Sequence, residues 1–200
     1  MSDSQEFDQK ENPYAAPDYS PTEFSQNLLT PQNALEAELQ AFVGPKADYY
    51  LQKWASIIHA GDNNAGFNWA AFFIAPLWLA YRKMYLVFTL FWSFICVEAI
   101  LEDFVCIRIL GHEEVPTLVD FGSELAIDII CGMLANRCYL WHAKKQIAEI
   151  RAQGLEGDQL LWQITKRGGT SMRTSLGLNF LASVVCVWIW DAYEILECGF

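Results

Sequence analysis

The sequence is poor in positive charge, and this excludes one broad class of partner. It holds 13 lysines and arginines against 24 aspartates and glutamates, a formal net charge of −11. Proteins that bind nucleic acids need clustered cations to contact the phosphates, so we expect no nucleic-acid partner. The first residues offer neither a basic head nor an apolar run, and we therefore expect no secretory signal peptide.

The sequence also contains no CxxC pair and no other regular set of metal ligands, so we expect no metal and no cofactor. The six cysteines are Cys96, Cys106, Cys131, Cys138, Cys186 and Cys198. Either all of them are free and act as small buried hydrophobes, which we favour, or Cys106 and Cys198 form a disulfide in an oxidising compartment. No nucleophile is recognisable beside a base, so we expect no enzyme.

Apolar residues are gathered into blocks, although their overall share is an unremarkable 53%. A globular core would spread them along the chain at helical or strand periods. Here residues 1–66 are polar and acidic, whereas 67–104, 121–143 and 175–200 are densely apolar and aromatic. This segregation predicts an all-α integral membrane protein with a membrane domain over residues 63–200.

The N-terminal part divides into two regions. Residues 1–33 cannot bury enough apolar surface to offset the entropy of ordering, so they are predicted to form a disordered acidic tail in the cytoplasm. Residues 34–62 are predicted to be an amphipathic helical region, interrupted at Pro45 and ending near Gly61. The aromatic face of its second half can pack on protein or lie on lipid, and we favour the membrane interface.

Three stretches are long and apolar enough to cross a bilayer, which takes about 20 residues. They are residues 84–102, 118–143 and 175–196. The stretch 144–174 is rich in lysine and arginine, so the positive-inside rule predicts that this loop and the N-terminus are cytoplasmic. The acidic stretch 98–124 then faces outward. We therefore predict about three transmembrane helices of alternating direction.

Residues 67–81 are apolar but short for a crossing, and Pro76 lies among them. Arg82 and Lys83 follow directly and belong on the cytoplasmic side together with the N-terminus. We therefore expect a re-entrant or interfacial segment that enters the membrane without crossing it. The alternative is a short fourth span with badly placed positive charges.

Six short motifs resemble those of one protein family. They are YYLQKW (49–54), FNWAAFF (67–73), PLW (76–78), YRKMY (81–85), ANRCYLWH (135–142) and GGTS (168–171). Together they resemble a family of small bacterial inner-membrane proteins known as a domain of unknown function (family 2628). The resemblance covers about residues 49–175. It implies a helical membrane fold located in the bacterial inner membrane, and it implies no reaction.

The longest motif has a physical interpretation as a membrane anchor. Its candidate residues are Asn68, Trp69, Pro76, Trp78, Tyr81, Arg82 and Lys83. Asn68 can cap a helix beside an interfacial Trp69 indole, and Pro76 can set a bend. Arg82 and Lys83 can extend their charged ends to anionic lipid headgroups.

The motif Gly168, Gly169, Thr170 and Ser171 precedes the last predicted span. Two glycines permit a tight turn, and Thr170 or Ser171 can cap the helix that follows. A phosphate-binding loop would need a lysine at a spacing that this motif does not have. The motif therefore predicts a cytoplasmic turn and a cap.

Asp120, Glu124 and Asp128 are four residues apart, so one helix would present all three on one face. A carboxylate deep in lipid is costly unless it is paired, protonated or hydrated. One interpretation is a cation or proton path lined by these side chains. The other, which we favour, leaves Asp120 and Glu124 in water and turns only Asp128 towards protein within the bilayer.

These features are compatible with three functions. The first, which we favour, is a non-enzymatic membrane protein that acts as a scaffold or regulator through envelope partners. The second is a small oligomeric transporter or ion-conducting unit that uses the acidic face. The third is a membrane-resident immunity protein. The expected partners are the lipid bilayer and either other proteins or further copies of the chain.

Overall fold

A computed structural model describes residues 31–198. Within this range the chain is almost entirely helical and contains no strand, which confirms the all-α prediction. The helices are α1 (Pro31–Val43), α2 (Ala47–His59), α3 (Trp69–Tyr81), α4 (Tyr85–Asp103), a π-helical segment (Phe104–Ile109), α5 (Thr117–Arg151), α6 (Gly157–Arg167) and α7 (Met172–Cys198). One compact unit begins at Glu36 and includes all described residues after it, and of the preceding unit only the first residues of α1 are described.

The N-terminal helical region is broken where the sequence predicts. Gly44 has a φ of +76°, which a residue with a side chain rarely adopts, and Pro45 follows it between α1 and α2. The boundary of the predicted disordered tail is wrong by three residues, because α1 already begins at Pro31. The rest of that tail, residues 1–30, lies outside the described residues.

The aromatic face of α2 packs on protein, which corrects the preference for lipid. Tyr50 and Trp54 are buried, and their rings contact the Tyr139 ring of α5 at centroid distances of 5.0 and 5.4 Å. The Trp54 indole N–H also donates to the Asn136 carbonyl at 2.9 Å. A buried indole N–H needs an acceptor, and α5 supplies one where lipid would not.

Helix α3 packs against α4, α5 and α7 and ends in a sharp reversal at Arg82–Met84. Its 13 residues extend roughly 20 Å at 1.5 Å per residue, less than the approximately 30 Å of a bilayer core. Ile74 leaves helical geometry, with φ −143° and ψ 47°, two residues before Pro76. Proline cannot donate its backbone nitrogen, so the helix bends in the turn before it.

The three long apolar helices extend beyond their predicted bounds. The π-helical segment continues α4 to Ile109, and α5 runs to Arg151. The predicted cytoplasmic loop 144–174 is therefore largely helical, because it contains the end of α5 and all of α6. Each predicted span was ended where charged residues follow the apolar run, but the helices continue past those residues. Among the described helices one, Met172–Leu196, is long and apolar enough to cross a membrane by length and composition.

Helices α4 and α7 lie side by side and run in the same direction. Cys96 and Cys186 form a disulfide between them, and two turns further on Tyr193 donates a hydrogen bond to Asp103 at 2.9 Å. This corrects both interpretations of the cysteines, since the bonded pair comes from the apolar blocks and Cys106 is buried and free. The pairing depends on helix packing, which a sequence separation of 90 residues does not reveal.

Candidate functional site

Motifs that are far apart in the sequence meet around Tyr139, which is fully buried. We define the motif hub as the cluster formed by Tyr50, Trp54, Asn68, Trp78, Arg82, Asn136 and Tyr139. The Tyr139 ring contacts the rings of Tyr50, Trp54 and Trp78 at centroid distances between 5.0 and 5.9 Å. Aromatic packing thereby joins α2, α3 and α5 at one point.

Asn136 supplies the polar centre of the motif hub and has no solvent exposure. Its amide nitrogen donates to the carbonyls of Ala65 and Gly66, each at 3.1 Å. Its side-chain oxygen accepts a hydrogen bond from the Asn68 amide at 2.9 Å. Every polar group of this side chain is thus satisfied, and the segment before α3 is fixed to α5.

Asn68 caps α3 as the sequence predicts. Its side-chain oxygen accepts a hydrogen bond from the Ala71 backbone N–H at 3.1 Å, and its own N–H donates to the Gly132 carbonyl at 2.8 Å. A side chain at Gly132 would overlap the Phe67 ring and displace it. The start of α3 is therefore docked on α5 through backbone as well as side chains.

The sequence predicts that Arg82 extends its charged end outward to lipid headgroups. The structure corrects this, because the side chain stays inside the fold. Its side chain is only 4% exposed, and its guanidinium lies over the rings of Tyr50 and Tyr139 at 4.5 and 5.0 Å. Nη1 donates to the Tyr139 hydroxyl at 3.4 Å, while the buried Nε has no acceptor. Cation–π contacts with the two tyrosine rings hold it inside, and a planar guanidinium is weakly hydrated, which lowers the cost of its burial.

Lys83 also differs from its predicted role. Its backbone has a φ of +58°, which turns the chain sharply between α3 and α4. Its ammonium group donates to the Gly168 carbonyl at the end of α6 instead of extending to a headgroup. The two cations of the motif therefore serve the internal packing of this end of the molecule.

The turn and cap predicted for residues 168–171 are present. Gly169 has a φ of +71° and donates its N–H to the Phe42 carbonyl at 2.7 Å, while a side chain at Gly168 would collide with the Phe42 backbone. Ser171, not Thr170, caps α7, since its hydroxyl accepts from the Thr174 N–H at 3.4 Å. The Ser171 N–H donates to the Tyr81 carbonyl at 3.0 Å, which connects the turn to α3.

The remaining residues of the predicted anchor have different surroundings. Trp69 is 64% exposed, whereas Trp78 is buried against Tyr139. Tyr81 is half-buried beside Arg82, and the Pro76 carbonyl accepts a hydrogen bond from Asn179 of α7 at 3.4 Å. Only Trp69 keeps the exposed position that an interfacial aromatic requires.

A cavity of about 690 Å³ adjoins the motif hub between α2, α3 and the start of α7. Its walls are largely apolar and aromatic, and Tyr50, Trp78 and Arg82 belong to both the cavity and the hub. Lys46 and Asp48 lie exposed at its edge. Concave, mostly apolar sites with a few polar groups are typical of ligand-binding pockets.

A family model described as "Protein of unknown function (DUF2628)" matches residues 34–145, more than half of the chain. The chain belongs to this family. No curated protein and no solved structure matches the chain significantly. The DUF2628 region includes every residue of the motif hub, while the Gly168–Ser171 turn lies beyond it.

The acidic residues singled out in the DUF2628 protein lie on the first half of α5 and are not part of the motif hub. Asp120 and Glu124 are exposed and Asp128 is half-buried. Nearby, the Ser123 hydroxyl donates to the Glu102 carboxylate of α4 at 3.5 Å. The described residues contain no group of three or more His, Cys, Asp or Glu side chains placed to hold a metal ion.

The sequence motifs of the DUF2628 protein contained the hub residues Asn136, Tyr139, Tyr50 and Trp54, but their meeting in one buried cluster was not predicted. One signal was available for Asn136, which is an amide beside the buried Ala135 and close to the apolar run of α5. A polar side chain in such a place needs partners, and two backbone carbonyls and Asn68 provide them. The identity of those partners depends on the packing of helices far apart in sequence.

Proposed function

We propose that the chain is an integral protein of the bacterial inner membrane that acts without catalysis, as a scaffold or regulator for envelope partners. Its spans would be α4 with the π-helical segment, the first part of α5, and α7. Helix α3 would enter the membrane without crossing it. The N-terminus and the motif hub would then lie on the cytoplasmic side.

The observation that carries this proposal is that the long helices expose their large apolar side chains instead of burying them. Large apolar side chains on α7 point outward, with Phe180 74% and Trp188 78% exposed, and almost no residue of this helix is buried. Leu90, Phe94 and Val97 of α4 are likewise exposed. In water each such side chain costs about 1.5–3 kcal/mol relative to burial, so an apolar medium is the natural surrounding.

The distribution of charge supports the proposed orientation. Cations cluster where α5 ends, along α6 and at the start of α7: Arg137, Lys144, Lys145, Arg151, Lys166, Arg167 and Arg173. Acids cluster where α4 ends and α5 begins: Glu98, Glu102, Asp103, Glu113, Glu114, Asp120 and Glu124. The two groups occupy opposite ends of the long helices, as the positive-inside rule requires for a spanning protein.

Reporter fusions test this topology. Fusions after Lys83 and Gly157 should report a cytoplasmic location, and fusions after Gly111 and Phe200 an outward location. The chain should also stay in the membrane fraction after an alkaline wash. A cytoplasmic signal at Gly111 would refute the orientation, and a chain that remains monomeric in buffer without detergent would refute the membrane location.

The proposed mode of action is binding, and the motif hub supports it. The Asn68 and Asn136 amides and the Tyr139 hydroxyl are used in internal hydrogen bonds, as expected of a rigid platform.

Crosslinking in native membranes, followed by identification of the bound protein, tests the role. A defined envelope protein should be captured, and its yield should fall when residues 1–33 are deleted. Unchanged capture without these residues would exclude the tail as the contact.

Transport is the second candidate function, because the Glu102 carboxylate of α4 accepts a hydrogen bond from Ser123, which lies on α5 between Asp120 and Glu124. Three helices enclose little space, so several chains would have to assemble around the path. Asp128→Asn and Glu124→Gln should then abolish a pH- or cation-dependent flux, whereas they should leave partner capture unchanged. No contact among the described residues favours the immunity role, which stays a prediction.

A further inference from the structure

Arg82 is a buried cation without a carboxylate partner among the described residues. The ion pairs seen there, which join His59 to Glu36, Arg151 to Glu38 and Arg167 to Glu149, do not include Arg82. Arg82 is nevertheless only 4% exposed. Removing a charge from water is expensive unless an opposite charge compensates it, so this site lacks an anionic partner for Arg82.

The groups around Arg82 hold the guanidinium but do not neutralise it. The rings of Tyr50, Tyr81 and Tyr139 lie within 6 Å of its central carbon and supply cation–π attraction. Nη1 has one long hydrogen bond and Nε has no acceptor. A guanidinium presents its donors as a planar fork that fits an oxyanion, and here part of that fork is unused.

The cavity beside Arg82 is large enough for an anionic headgroup. Its volume of about 690 Å³ lies within the range of small-molecule sites, and Arg82 is one of its lining residues. Lys46 and Asp48 at the edge have opposite charges and offset each other. The formal charge of the cavity lining is therefore the single positive charge of Arg82, which an anion complements.

The outer wall of the cavity is apolar and continues onto the exposed surface. Trp69, Ile74, Met172 and Leu176 all line the cavity and are all at least 48% exposed. A small hydrophilic anion would leave this wall in contact with water, whereas an acyl chain would cover it. The ligand that fits both parts of the site has an anionic head and an apolar tail.

We propose that this cavity binds the anionic phosphate headgroup of a lipid, with the Arg82 guanidinium as its counter-charge and the acyl chain along α3 and α7. The inference rests on the proposed membrane location, where anionic phospholipids are abundant on the cytoplasmic side. Under this proposal the motif that was predicted to be a general membrane anchor contributes a lipid-specific site. Arg82 thus contacts one lipid from inside the fold.

Native mass spectrometry of the full-length protein in detergent tests the proposal. Phosphatidylglycerol is the probe, and zwitterionic phosphatidylcholine is the reference lipid. The wild-type chain should retain one phosphatidylglycerol in preference to phosphatidylcholine. Arg82→Gln should weaken this binding about tenfold or more, the effect expected when a charged hydrogen-bond partner is removed, and Arg82→Lys should restore part of it. Lys166→Gln is the matched control, because Lys166 is an exposed cation over Trp162 and should not affect binding.

A second variant keeps the test decisive if Arg82→Gln does not fold. Leu176→Trp adds bulk at the exposed edge of the cavity while Arg82 is kept, and it should also reduce lipid retention about tenfold. Equal retention of both lipids by the wild type, or wild-type retention by Leu176→Trp, would overturn the proposal. Competition by soluble glycerol phosphate as effective as that by phosphatidylglycerol would overturn the lipid assignment and leave a phosphate site.

These measurements distinguish a failure of the proposed lipid site from a failure of the proposed membrane location. A chain recovered from the soluble fraction without detergent refutes the membrane location. A chain extracted from membranes that shows no preference for the anionic lipid refutes only the Arg82 site. Circular dichroism of each variant checks that the helices are retained.

Discussion

The two ends of this molecule are stabilised in different ways. At the motif hub, two amides, a guanidinium and four aromatic side chains are buried and contact one another across α2, α3 and α5. Along the outer parts of α4 and α7, large apolar side chains are exposed and the interhelical contacts include a disulfide and a Tyr193–Asp103 hydrogen bond. Internal contacts therefore define the hub, whereas the outer helices depend on what surrounds them.

The largest expected effect comes from breaking the polar centre of the hub. Asn136→Leu keeps the branched shape and the number of heavy atoms but leaves the Asn68 amide and the Ala65 and Gly66 carbonyls without partners. At roughly 1–3 kcal/mol for each such group, the loss should be about 4 kcal/mol of unfolding free energy. Thermal unfolding in detergent measures it. Asn63→Leu, at an exposed site, is the control, and equal stability of the two variants would contradict the role of the hub.

The next effect tests the dependence of the outer helices on an apolar surrounding. Leu181 is exposed on α7, and Leu181→Asp should lower membrane insertion by about 3 kcal/mol if this surface faces lipid. The readout is the fraction of chain that resists an alkaline wash of the membranes. Leu161→Asp on α6 makes the same change at an exposed site outside the proposed spans. Similar membrane retention of both variants would argue that water surrounds α7.

A smaller effect should follow from filling the close contact at the turn before α7. A methyl group at Gly168 meets the Phe42 backbone, so Gly168→Ala should cost about 2 kcal/mol of stability. Gly177→Ala provides the contrast, because open space surrounds that position and alanine favours a helix. The unfolding midpoint should therefore fall for Gly168→Ala, and for Gly177→Ala it should rise or stay unchanged. Equal curves would mean that α1 is not docked on this turn.

The smallest effect identifies the residue that caps α7. Ser171→Ala should lower the unfolding free energy by about 1 kcal/mol, whereas Thr170→Ala should leave it unchanged. Denaturant titration followed by circular dichroism resolves this difference if both variants are measured together. A larger loss for Thr170→Ala would assign the cap to the other hydroxyl.

Features that depend on neighbours in sequence were predictable. The Asn68 cap, the break at Pro45, the bend near Pro76 and the turn at Gly168 and Gly169 all depend on side chains within a few residues of the affected backbone. The position of Arg82 was not predictable in the same way. A cation at the end of an apolar run normally extends to water, and here the rings of Tyr50 and Tyr139, which are distant in sequence, help to hold it inside.

The sequence by itself determined that this chain is helical, where several of its helices begin and bend, and that its apolar residues form blocks. These properties follow from local sterics, capping and the periodicity of side chains. Only the tertiary structure decided that Cys96 bonds to Cys186, that Asn136 unites three segments and that Arg82 lies beside a cavity. Such contacts require surfaces separated by tens of residues to meet, and their geometry is set by helix packing.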